Sequence, residues 1–183
     1  MSTIFRKLLL TLGCLMLLNA CSGDAQSWDE EVKLLDGRVI VVTQKRLLQN
    51  GILTRDAWLT MKLPEFSAQP IVWHEALDSM ILNIYNGNLY IVAMPPSERE
   101  FHRYGSPVPS YIGYRWNGVS WDRIAFSEIP KEIYDANMLV SGVPDRSLHY
   151  LSIENKNSKE MNNNVLLPEI FKRVSPTANA FFN

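Results

Sequence analysis

Three Asx-Gly dipeptides sit between runs of β-branched and aromatic residues, and that punctuation restricts the chain to a largely antiparallel β fold. Asp36-Gly37 separates residues 31–35 from 38–45, Asn86-Gly87 separates 80–85 from 88–94, and Asn117-Gly118 separates 111–116 from 119–124. Such dipeptides accept positive φ at both central positions of a two-residue hairpin turn, a conformation no helix uses. Residues 57–63 and 70–75 read as two further strands, with Pro64 closing the first and Pro70 opening the second. The expectation is a mainly β domain of about eight strands with one or two short helices, arranged as a twisted antiparallel sheet, a sandwich or a partly open barrel.

Hydrophobic patterning refines this. Val39-Ile40-Val41-Val42 and Leu89-Tyr90-Ile91-Val92-Ala93 are apolar at successive positions, which predicts central strands covered on both faces. Residues 111–116 alternate instead, with Ile112, Tyr114 and Trp116 on one face and Tyr111, Gly113 and Arg115 on the other, so one face is expected to meet water. Ser127 is placed to cap a short helix through Glu128, Pro130, Ile133 and Leu139. Around 148–153 strand and helix are both open, 155–164 reads as a polar loop, 166–174 as a last short helix, and 175–183 as a loose tail.

The amino terminus carries a different signal. Arg6 and Lys7 precede an uncharged run from Leu8 to Leu18, the layout of an export signal. Eleven residues at about 1.5 Å each span roughly half of a hydrocarbon core of about 30 Å, too short for a spanning helix. The run ends in Leu18-Asn19-Ala20-Cys21, which resembles the lipobox of bacterial lipoproteins over about the first 22 residues. The resemblance implies cleavage before Cys21, with residues 1–20 as signal peptide and Cys21 as the first mature residue and the site of lipid attachment. It also implies a lipid bilayer as partner through acylated Cys21. Ser22, where an aspartate would favour inner-membrane retention in that family, implies the outer membrane, facing the periplasm. The folded part is similar only to small bacterial lipoproteins with aspartate-glycine hairpins near their start, a likeness that brings no activity with it. Residues 21–27 are expected to form a lipidated polar tether, and 28–174 one β-rich domain.

After such cleavage 163 residues remain, with 16 basic against 19 acidic side chains, a net charge of −3. That balance argues against a nucleic-acid partner, which favours a basic patch. Cys14 would leave with the signal and Cys21 would carry lipid, so neither a disulfide nor a thiolate nucleophile is expected.

Catalytic patterns are sparse. His74, His102 and His149 are far apart in the chain and have no partner at metal-ligand spacing, so no metal and no cofactor is expected. Neither a Gly-x-Ser-x-Gly turn nor a phosphate-cradling glycine loop is present. Glu98, Glu100 and Asp122 could serve a hydrolase only if the fold brought two of them together across a cleft. Residues 95–109 form a proline-bounded connection whose Arg99, His102, Arg103 and Tyr104 are candidate binding residues, against the plainer reading of a solvated loop with Phe101 tucked on the core. Trp58, Trp73, Trp116 and Trp121 could build a sugar-stacking platform or simply pack. The functional expectation is a membrane-anchored, non-enzymatic binding or structural module for a protein or peptidoglycan partner. An inhibitor or immunity lipoprotein against a hydrolase, and an envelope hydrolase with an unrecognised site, are the alternatives.

Overall fold

The computed structural model describes residues 24–139, 142–157 and 171–177. The signal segment, Cys21, and most of the expected last helix and tail lie outside the described residues. Among the described residues nine strands form two sheets: β1 (Asp24–Lys33), β2 (Val39–Gln49), β3 (Leu53–Met61), β4 (Ile71–Glu75), β5 (Asp78–Tyr85), β6 (Asn88–Met94), β7 (Ile112–Trp116), β8 (Trp121–Ile124) and β9 (Tyr150–Leu151). The first sheet has the order β4-β3-β2-β1-β9 and the second β5-β6-β7-β8. All neighbours are antiparallel except β9, which adds two residues in parallel to β1. The described residues also hold two short α-helices, α1 (Glu98–Arg103) and α2 (Ile153–Asn157).

The expected hairpins all form, but their turns differ. Asn86 and Gly87 both take positive φ, at 49° and 73°, and join β5 to β6 as a two-residue turn. At Asp36-Gly37 and Asn117-Gly118 only the glycine is positive, and the loops are longer. A fourth such dipeptide, Asn50-Gly51 (φ 54° and 72°), turns β2 into β3. The first strand begins at Asp24, four residues before the boundary expected at Trp28, because residues 24–27 pair with 45–48 of β2.

The sheets face each other across one apolar core. Val32, Val42, Leu59, Met61, Ile71 and Trp73 of the first sheet meet Leu82, Leu89, Ile91, Ile112 and Tyr114 of the second. A second apolar layer covers the far face of the second sheet, where Met80, Val92, Met94 and Tyr111 pack under Ile124, Ile129, Ile133, Tyr134 and Val174. β6 is therefore buried on both faces, as its unbroken apolar run predicts. β7 departs from expectation, since its Gly113 face is also covered by Ile124 and Ile129.

The matching expectation for β2 fails. Val39 and Val41 are each 50% exposed, because no element among the described residues covers the outer face of the first sheet. The helix expected from Ser127 fails as well. The chain there makes two 3-10 turns, Phe126–Glu128 and Lys131–Ile133. Pro130 has no N–H to donate and biases Ile129 to extended backbone, observed at ψ 119°, so a continuous helix cannot pass through.

The carboxy-terminal segment is held to the first sheet by buried charge. Glu30, fully buried on β1, accepts from Gln44 Nε2 at 2.6 Å, from the Leu139 N–H at 2.7 Å and from Lys156 Nζ at 3.0 Å. Arg46, equally buried, donates to Asp78 at 3.0 Å and to the carbonyls of Leu139 and Gly142. Glu31 accepts the Ile153 N–H and the Tyr150 hydroxyl, and those bonds hold its carboxyl below the usual range. Residues 155–157, read from sequence as the start of a loop, belong to α2 on this account.

Candidate functional site

The open face of the first sheet carries a row built by strand register. Lys45 of β2 lies opposite Trp58 of β3, and Trp58 lies opposite His74 of β4. Side chains alternate across a strand, so these three project outward while Val42, Leu59 and Trp73 project into the core. The His74 ring stacks on Trp58 with centroids 4.4 Å apart and planes 11° from parallel. Lys45 Nζ sits 5.0 Å from the Trp58 ring centre. Asp56, next on the same face, meets His74 Nε2 at 2.7 Å. Thr60 and the half-exposed Val72 continue the face toward Val41.

At one end of this face lies a groove of about 390 Å³, lined by Leu47, Arg55, Asp56, Arg99, Glu100 and Arg103. Arg55 reaches it because β3 bulges against β2, with Leu47 opposite Asp56 and Leu48 opposite Thr54. A bulge leaves the extra residue unpaired and re-aims its side chain. The other two arginines come from α1, four residues apart and so one above the other on the helix.

α1 is fixed at its amino-terminal end. Ser97 caps it, taking the Glu100 N–H, while its hydroxyl donates to the Glu100 carboxylate. Arg99 Nε donates to the other Glu100 oxygen at 2.8 Å. Burial alone would raise the Glu100 pKa, but the bonds from Ser97 and Arg99 outweigh it and hold the carboxyl below the usual range. Arg55 and Arg103 have no ion-pair partner among the described residues. The groove therefore offers two uncommitted guanidinium groups beside one engaged with Glu100.

The four candidate residues of the 95–109 connection thus separate. Arg99 and Arg103 line the groove. His102 points elsewhere, its Nδ1 3.1 Å from Ser106 Oγ and its Nε2 3.7 Å from Glu98. Tyr104 turns inward, donating to Glu75 at 2.7 Å and accepting the Ala76 N–H at 3.1 Å. Loss of water contact and the Glu75 carboxylate push its phenol up to about 12. Phe101 is buried, as the plainer reading of the loop expects.

The tryptophans do not share a surface. Trp73 is buried and meets Tyr114 edge-on, Trp58 lies on the opposite face of the sheet, and Trp116 and Trp121 pack against each other at 5.4 Å. Trp58 is already engaged, stacked on His74 and with Lys45 Nζ 5.0 Å from its ring centre. Of the three carboxylates considered for hydrolysis only Glu100 lines the groove; Glu98 is exposed on α1, and Asp122 bonds Asn117 in the β7–β8 turn. Among the described residues no group of three or more His, Cys, Asp or Glu side chains is arranged to hold a metal ion.

Comparison with protein-family models, with curated proteins and with solved structures finds no match to this chain.

What the sequence did not reveal is the contribution of Leu47, Arg55 and Asp56. The alternation along β2, β3 and β4 could have placed Lys45, Trp58 and His74 on one face. The bulge that brings in Arg55 has no sequence signature.

Proposed function

We propose that the chain is an envelope lipoprotein, held on the outer membrane by acylated Cys21 and facing the periplasm, whose domain is a protein-binding module and not an enzyme. The open outer face of the first sheet supports this reading above all. Both faces of the second sheet are covered, whereas the first sheet leaves Val39, Val41 and Val72 about half exposed beside the Lys45–Trp58–His74 row. An aromatic and apolar centre rimmed by charge is the make-up of a protein interface. A cell-wall polymer fits less well, since the tryptophans are dispersed and the one on this face, Trp58, is already stacked on His74.

The test is crosslinked capture from envelope extract with the wild-type protein and with Trp58→Ala/His74→Ala. A partner captured by the wild type and lost from the variant is the expected result. Identical captures from both, or retention of peptidoglycan by both, would sink the reading. Hydrolysis of ester, lipid or peptidoglycan substrates by the purified protein, abolished by a single substitution, would overturn its non-enzymatic part.

A further inference from the structure

One end of the sandwich gathers features that the outer-face row does not use. Asp24, the first residue of β1, pairs with Leu48, and its carboxylate lies 3.5 Å from where a side chain on Gly51 would begin. The β2–β3 turn therefore stands beside the point where the chain enters the sheet. That turn exposes Ile52 (73%) and Leu53 (44%). The groove with Arg55, Arg99 and Arg103 opens one residue pair further along, at Leu47 and Asp56. Of the nearby carboxylates, Asp24 is engaged by Arg146, Asp56 by His74 and Glu100 by Ser97 and Arg99, while Glu98 lies near His102. The Asp36-Gly37, Asn86-Gly87 and Asn117-Gly118 turns all lie at the opposite end.

Only Ser22 and Gly23 separate Cys21 from Asp24. Three steps of fully extended chain span about 10 Å. A lipid on Cys21 would hold this end of the domain within reach of the headgroup layer and keep the other end away from it.

We propose that this end is a membrane-contact surface. Ile52 and Leu53 enter the boundary between headgroups and acyl chains, and Arg55 and Arg103, with Arg99 beside them, meet phosphates of anionic phospholipid. Guanidinium groups match phosphate geometry with paired N–H donors, and apolar side chains next to basic ones are what an interfacial contact requires. The inference rests on the proposed lipidation of Cys21, and it gives the domain a fixed orientation that the anchor alone does not.

The experiment uses full-length lipidated protein purified from membranes and reconstituted into vesicles. One set is phosphatidylethanolamine with phosphatidylglycerol, the other phosphatidylcholine alone. An environment-sensitive NBD label is placed at Ile52→Cys or at Val119→Cys, an exposed valine (86%) in the β7–β8 turn at the opposite end. NBD at position 52 is expected to shift to the blue and be quenched by chain-brominated lipid, with NBD at 119 reporting water. Arg55→Gln/Arg103→Gln should reduce the shift at 52 in anionic vesicles and leave it unchanged in phosphatidylcholine; these two arginines have no ion-pair partner within the described fold to lose. Protein that floats with the vesicles while 52 and 119 report the same aqueous environment overturns the contact surface and leaves the anchor standing. An unmodified Cys21 by mass spectrometry, with no flotation, overturns both. An arginine variant indistinguishable from wild type in anionic vesicles removes the headgroup part.

Discussion

Gly113 has no room for a side chain. A Cβ built there would lie 2.7 Å from Ile129 Cγ1 and 2.9 Å from Ile124 Cγ1, so the cover over the second sheet packs directly on β7 backbone. Gly113→Ala should destabilise the domain by about 1–3 kcal/mol through overpacking, read as a lower urea midpoint at unchanged m-value. Tyr104 makes a prediction about alkali. Its folded phenol is pushed up to about 12, whereas an unfolded one ionises near 10. The folded state thus holds its proton more tightly, and the stabilisation present below pH 10 is lost as pH rises toward 12. Tyrosinate absorbance at 295 nm should show this phenol titrating late, and thermal stability should fall across the same window; Tyr104→Phe should flatten that part of the fall. At this scale the sequence tells little. Arg99 and Arg103 stand four apart and are legible as a pair, but Arg55 joins them only through a bulge, and Tyr104 is turned away by a hydrogen bond to Glu75, twenty-nine residues earlier.

Among the elements, β1 combines strand pairing with a buried polar network. It pairs with β2 along its whole length and with β9 on its other side, and its Glu30 receives Gln44, Leu139 and Lys156. Removing one member of such a buried network strands the others away from water. Glu30→Ala should cost about 3–5 kcal/mol, measured by urea unfolding, with Glu30→Gln losing less because its carbonyl oxygen still accepts. Hydrogen exchange should localise the early opening to 150–157, the segment that Lys156 and Glu31 fasten. The hairpins were legible because Asx-Gly turns and strand runs are local signals. The misjudged cover over β2 and β7 has one cause: Leu89-Tyr90-Ile91-Val92-Ala93 and Val39-Ile40-Val41-Val42 look alike in sequence, and only the packing of distant segments decides which sheet gains a second cover. Residues 124–134 and Val174 fold over β6 and β7, and nothing among the described residues folds over β2. Asn50-Gly51 is not legible as a hairpin turn because Arg55-Asp56 interrupts the strand run after it.

For the molecule as a whole, the asymmetry between the sheets separates stability from recognition. The two apolar layers lie on either side of the second sheet, so the outer face of the first can be altered at small cost to the fold. Trp58→Ala/His74→Ala should shift stability by about 1 kcal/mol, the scale of a cross-strand aromatic pair, while removing the partner captured by the wild type. A loss of more than about 3 kcal/mol in differential scanning calorimetry would instead mark the row as structural. The edges follow the same economy of cover: β9 lies along one side of β1, and the Trp121 indole donates to the Val72 carbonyl on β4 at 3.0 Å, occupying an acceptor that an incoming strand would use.

The placement of β1 has a mechanical consequence. With the anchor we propose, any drag on the domain is transmitted through Asp24 along the strand's own axis. Ten residue pairs join β1 to β2, and such a pull loads them side by side, in shear, where a leash on an outer hairpin would unzip its rungs one after another. The leash and the strongest seam of the fold are the same piece of chain.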